Sequence, residues 1–135
     1  ISNKEEAYAL ERAKQSGIKT FVLKSKDFDS RDEYDAIVDS ELEREGIDLI
    51  VLAGFMRILS AGFVNKYEGR IINIHPSFLP DFKGEQGIKE AEEAGAKETC
   101  VNVHYVTEEL DSGPIILKEK VQVVITDVYV PGKIK

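Results

Sequence analysis

The feature that most limits what this chain can fold into is a short run, Asp48-Leu-Ile-Val-Leu-Ala53, apolar after its first residue and bounded by Gly46 and Gly54. It is too short for a helix, and it leaves no polar face for solvent, so it predicts a parallel strand buried on both faces. A strand of that kind is central to its sheet and needs helices to cover it. The flanking sequence supplies them. Asn3 is placed to cap a helix with small or apolar residues at Ala7, Leu10 and Ala13 and a stop at Gly17. Residues 20–23 form a short β-type run. Ser30 and Glu33 then make a Ser-x-x-Glu capping box, which starts a helix near Arg31 that runs through Tyr34, Ile37, Val38 and Leu42 toward Gly46.

After the apolar strand, residues 54–60 form a loop that carries Phe55, Met56, Ile58 and Leu59, more apolar than a solvated connection. It either packs as core or lines a pocket for a flat heteroaromatic ligand. Ser60 can cap a helix through Phe63, Val64 and Tyr67 to Gly69. Alternating strands and helices predict an α/β fold, a mostly parallel sheet covered by helices. Further on, residues 79–84 are turn-rich, residues 86–94 read as an acidic helix, and residues 99–106 return as a strand. That strand has Val101, Val103 and Tyr105 on one face and Asn102 and His104 on the other. Residues 115–117 and 121–130 read as two strands, an antiparallel pair near the C-terminus.

The stretch Arg70-Ile-Ile-Asn-Ile-His-Pro76 is where chemistry is expected. It is a strand stopped by Pro76, with Asn73 and His75 two residues apart. Side chains at i and i+2 share a face, so the amide and the imidazole lean into the same space. They do so at the carboxyl end of a strand, where α/β sheets open onto their ligand crevice. Arg31 is also out of place: a cation in the first turn of a helix opposes the helix dipole. It is either simply solvated or kept for an anionic ligand. His104 reads as a structural hydrogen-bonder.

Composition removes several classes. The 135 residues suffice for one domain and its core, 1–135. With 18 basic and 25 acidic side chains the net charge is −7, which argues against a nucleic-acid partner. No apolar run reaches membrane-spanning length, so no membrane partner is expected. Cys100 is the only cysteine, so no internal disulfide can form, and a cytoplasmic location is expected. Neither a metal-ligand spacing nor a glycine-rich phosphate loop occurs. The chain opens Ile1-Ser2-Asn3 and its only Met is Met56, from which a start inside a longer parent is expected.

Four segments together resemble the glycinamide ribonucleotide formyltransferase family. They are Ser30-Arg-Asp-Glu-Tyr34, Leu52-Ala-Gly-Phe-Met-Arg-Ile-Leu-Ser60, Asn73-Ile-His-Pro-Ser-Phe-Leu-Pro80 and Val103-His-Tyr-Val-Thr-Glu-Glu-Leu-Asp-Ser-Gly-Pro-Ile-Ile116. The resemblance implies a Rossmann-like fold, with helices on both faces of the sheet, and transfer of a formyl group from 10-formyltetrahydrofolate, as cosubstrate, to the amine of glycinamide ribonucleotide in purine biosynthesis. It implies Asn73, His75 and Asp111 as catalytic residues. It places folate contacts on Arg31, Met56, Arg57, Ile58, Leu59, Asn73, Thr107, Glu108, Glu109, Leu110 and Asp111, with no metal. The chemistry asks for these residue types: attack of an amine on a formyl carbon makes an oxyanion, which an amide NH₂ and an imidazolium can stabilise. An aspartate in reach favours that imidazolium.

The resemblance is incomplete at both ends. The family's opening βα unit with its phosphate-binding loop precedes the match, and residues 124–132 depart from its closing segment. Two further readings therefore stand beside the transferase: a non-catalytic folate-binding fragment and a formyltetrahydrofolate hydrolase. A homo-oligomer is left open.

Overall fold

Capping residues decide where the helices begin. Ser30 accepts a hydrogen bond from the Glu33 backbone N–H at 3.1 Å, which starts α2 (Arg31–Arg44). The Glu33 carboxylate accepts from the Asp29 N–H at 3.2 Å, so the capping box closes one residue earlier than its usual form. Ser60 repeats the device for α3 (Ala61–Lys66), accepting from the Phe63 N–H at 3.4 Å. The expected cap at Asn3 is not used. The Ser2 N–H donates to Phe21 O and the Leu23 N–H to Ser2 O, both at 2.9 Å, which holds the chain start extended. Helix α1 (Tyr8–Gln15) begins later, after Ala7, with no side-chain cap. The strand expected over residues 20–23 is likewise reduced to one parallel bridge, Ser2 to Val22.

The computed structural model describes residues 1–76 and 98–122. The chain divides into two compact units, Ile1–Asp48 with Ile58–Tyr67 and Leu49–Arg57 with Glu68–Lys135. The loop expected at residues 79–84, the helix at 86–94 and the strand beyond 122 lie outside the described residues.

The first unit is helical and buries Leu10, Tyr34, Leu42, Phe63, Val64 and Tyr67. Helices α2 and α3 are tied by polar contacts as well. The Tyr67 hydroxyl donates to Asp39 at 2.6 Å, and Lys66 Nζ lies 2.6 Å from both Asp39 and Glu43. Burial pushes the Asp39 carboxyl up, but the hydrogen bonds from Lys66 and Tyr67 outweigh it and hold the group below its ordinary value.

The second unit carries a four-stranded sheet in the order β1 (Ile50–Ala53), β2 (Ile71–His75), β3 (Glu98–Tyr105), β4 (Ile115–Gln122). The expected parallel pairing is that of β1 with β2, in register Ile50 to Ile71 through Ala53 to Ile74. Both β2–β3 and β3–β4 are antiparallel, whereas the antiparallel pairing expected from sequence lay between residues 115–117 and 121–130.

Two expectations change here. Among the described residues β1 is an edge strand, not a central one, and Val51 is 52% exposed. An apolar run records that a strand can be covered on both faces; it does not supply the neighbours. The two strands expected at residues 115–117 and 121–130 begin as one continuous strand, β4. Lys118, Glu119 and Lys120 do not break it: among the described residues β4 is an edge strand, and charged side chains suit an edge open to water.

Candidate functional site

Strand register brings the first two site residues together. Asn73 stands directly opposite His104 across β2 and β3, and His75 opposite Asn102. Opposed residues in an antiparallel pair point to the same side with their Cβ atoms close, so these four polar side chains share one face. That face is the protected one: His75, Asn102 and His104 are buried, while Tyr105 on the other side of β3 is exposed. The register of β3 against β4 shifts between Val103 and His104, a bulge of the kind often found beside functional sites.

Asp111 reaches this face from the loop that follows β3. The loop is pinned at its ends, where the Tyr105 N–H donates to Pro114 O at 2.9 Å and the Val106 N–H to Ile71 O at 3.0 Å. Within it Asp111 adopts φ 47°, the left-handed region that few side chains other than Asn and Asp enter readily. Gly113 is required for a different reason. A Cβ there would overlap the Tyr105 carbonyl oxygen.

The resulting cluster is compact. The Asn73 side-chain NH₂ donates to Asp111 Oδ1 at 3.3 Å and lies 3.3 Å from His104 Nε2. His75 Nδ1 is 3.6 Å from Asp111 Oδ2, and His104 Nε2 is 3.4 Å from Asp111 Oδ1. Side chains of His75, His104 and Asp111 are all at least nine-tenths buried. The 3.6 Å contact lies just beyond hydrogen-bond reach, as catalytic contacts commonly do before substrate tightens them.

Geometry also orders the tautomers. His104 Nδ1 lies 2.9 Å from the Tyr105 carbonyl oxygen, which can only accept, so Nδ1 carries the proton. In the neutral ring Nε2 then has a lone pair, and it takes the second N–H of the Asn73 amide. Both Asn73 donors are thereby aimed by their partners. His104, read from sequence as structural, is thus in contact with two of the three candidate catalytic residues. The signal that could have placed it was present: His104 alternates with Asn102, and the strand pairing sets it opposite Asn73.

The structure brings Asn73, His75 and Asp111 together, and the remaining expected contacts are distributed. Thr107, Glu108, Glu109 and Leu110 precede Asp111 in the same loop and are exposed, Leu110 at 51%. Met56 and Arg57 belong to the same unit, with Met56 66% exposed. Arg31, Ile58 and Leu59 belong to the helical unit, where Arg31 and Ile58 are exposed. Among the described residues no group of three or more His, Cys, Asp or Glu side chains could hold a metal. No described helix is long and apolar enough to cross a membrane.

Comparison with known proteins adds an independent line. Residues 1–130 match a family described as formyl transferase. The chain is 50% identical over 127 residues to phosphoribosylglycinamide formyltransferase of Escherichia coli (strain K12), across 94% of this chain and 60% of that protein. It is also 50% identical over 127 residues to the trifunctional purine biosynthetic protein adenosine-3 of Gallus gallus, across 94% of this chain and 13% of that one. Among solved structures, phosphoribosylglycinamide formyltransferase from Streptococcus pneumoniae superposes with a TM-score of 0.86 at 40% identity, over 93% of this chain and 70% of that one. The chain therefore spans about three-fifths of the length of its Escherichia coli relative.

Proposed function

The chain belongs to the formyl transferase family, and from that premise we propose that it carries the catalytic part of a phosphoribosylglycinamide formyltransferase. The reaction is transfer of the formyl group of 10-formyltetrahydrofolate to the amine of glycinamide ribonucleotide, in purine biosynthesis and in the cytoplasm, by a single formyltransferase domain. The observation that carries this reading is the convergence of Asn73, His75 and Asp111 in one buried cluster. A relative at 50% identity that bears the transferase name favours it over a hydrolase or a binding fragment.

The roles follow from donors and charges. Attack of the amine on the formyl carbon places negative charge on the formyl oxygen. The Asn73 NH₂ and the His75 ring N–H are the donors that can meet it, and such donors act most strongly where water is excluded. His75 then relays a proton toward the departing folate nitrogen. Asp111, 3.6 Å from His75 Nδ1, pairs with the imidazolium and helps take the proton that the amine loses. His104 holds Asn73 in place rather than touching substrate. Arg31 supplies a cation for an anionic group of the folate. In the helical unit Ile58 and Leu59, and in the sheet-bearing unit Met56, Arg57, Thr107, Glu108, Glu109 and Leu110, are the further folate contacts of this reading.

The test is formyl transfer by this chain from 10-formyltetrahydrofolate, with and without glycinamide ribonucleotide. Product that requires the acceptor and falls by about 10²-fold or more in His75→Ala supports the assignment. Wild-type turnover in His75→Ala refutes it, and acceptor-independent loss of the formyl group would point to the hydrolase.

A further inference from the structure

Asp35 is the one buried carboxylate of the helical unit, 3% exposed and one turn beyond Arg31 on α2. It is not part of the cluster described above. Its Oδ2 accepts the Ser60 backbone N–H at 2.6 Å, across 25 residues of sequence. A buried charge is costly unless it is hydrogen-bonded, and packing alone would be better served here by an apolar side chain. The carboxylate must therefore be explained by what it holds. It holds the junction where Ile58 and Leu59 pass into α3, and Ser60 is gripped a second way by its own hydroxyl on Phe63 N–H.

We propose that Asp35 is a positioning residue for the folate site, a clamp that fastens the end of the apolar loop to the helix bearing Arg31. This rests on the reading of Arg31, Ile58 and Leu59 as folate contacts. Arg31 and Asp35 are four residues apart and so lie on neighbouring positions of one helix face. Ser60 follows directly on Leu59. One short charge-assisted hydrogen bond thus couples a cation for the anionic end of the ligand to apolar side chains for its flat part. Because both sets are fixed to the same helix, a ligand spanning them meets a preformed spacing and loses less freedom on binding.

The experiment uses the whole chain with Asp35→Leu, which removes the acceptor and keeps the branched side-chain shape, and Asp35→Asn, which keeps an acceptor oxygen without the charge. Folded variants are titrated with 10-formyltetrahydrofolate, and exchange of the Ser60 amide is followed by NMR. The clamp predicts folate affinity about tenfold weaker in Asp35→Leu and within about threefold of wild type in Asp35→Asn. It also predicts that Arg31→Ala costs less in the Asp35→Leu background than alone, since the two act as a unit. A purely structural role would lower the unfolding midpoint and leave the affinity of the folded fraction unchanged, which would overturn the proposal. So would full additivity with Arg31→Ala. Should Asp35→Leu fail to fold, the Ser60 amide decides: faster exchange in Asp35→Asn than in wild type supports the clamp, and equal exchange overturns it. If the wild-type chain binds no folate, the site reading fails and takes the positioning role with it, while slowed Ser60 exchange would still show that the clamp exists.

Discussion

Gly113→Ala is a sharp probe of how the loop presents Asp111. A Cβ at this position would overlap the Tyr105 carbonyl oxygen and lie 2.7 Å from its carbon, where ordinary contact begins near 3.4 Å. The carbon contact alone demands a shift of at least about 0.7 Å, and the oxygen demands more. Tyr105 cannot yield freely: its N–H is bonded to Pro114 O at 2.9 Å, and its carbonyl oxygen lies 2.9 Å from His104 Nδ1. The loop must therefore move, and Asp111 is only two residues away. Forcing extra volume into a tight contact costs about 1–3 kcal/mol, or several degrees in unfolding midpoint. A displacement near 1 Å at a catalytic group costs about 10²-fold in rate. Thermal unfolding by circular dichroism and formyl transfer measured on the same preparation check both figures. Ser112→Ala, at an exposed neighbour, is the control and is expected to stay within about 0.5 kcal/mol of wild type. If Gly113→Ala keeps both midpoint and turnover, the loop is not braced on Tyr105, and the account of how Asp111 is placed falls.

Other expectations follow from single contacts. His104→Phe keeps a ring in the strand but removes the nitrogens facing Asn73, Asp111 and the Tyr105 carbonyl; turnover should fall about tenfold with folate affinity little changed, and an unaltered kcat would refute a positioning role. Ser30→Ala removes the α2 cap and should cost about 1 kcal/mol in chemical denaturation. Acid should weaken the α2–α3 contact. Asp39 has a carboxyl held lower in the folded state than unfolded, so its contribution is present above the unfolded value near pH 4 and is lost as pH falls through the folded one. Asp39→Asn should flatten that part of the pH–stability curve, and an unchanged curve would show that the contact contributes nothing.

What the sequence discloses of this site depends on how local each contact is. Asn73 and His75 are legible because strand alternation alone places them together, and Pro76 marks where the strand ends. Asp111 is different. Its approach to Asn73 spans 38 residues and depends on a left-handed φ, a glycine tucked against Tyr105 and two backbone pins, none of which has a periodic signature. Only the resemblance of whole segments pointed to it. His104 reads as a structural hydrogen-bonder without its place beside Asn73 and Asp111 being legible, because alternation assigns residues to faces without saying which face is covered. The apolar Val101 and Val103 invite burial, yet the polar side of β3 is the more protected. For β1 the reverse holds, since its apolar run was legible and its edge position among the described residues was not.

The polarity of that covered face links stability to chemistry. His104 has almost no exposed surface, in the middle of a sheet where apolar side chains would ordinarily pack. Buried polar groups are tolerated when they satisfy one another, and a network that does so fixes one arrangement far more firmly than an oily core. Here that firmness is aimed. The Tyr105 carbonyl orients His104, His104 and Asp111 orient the Asn73 amide, and Asp111 is held beside His75. Each link is long enough, at 3.3 to 3.6 Å around Asp111, to exchange partners when an oxyanion forms. A tighter, fully satisfied network would be more stable and a poorer catalyst, because its donors would have to be pulled from strong bonds before they could meet the developing charge.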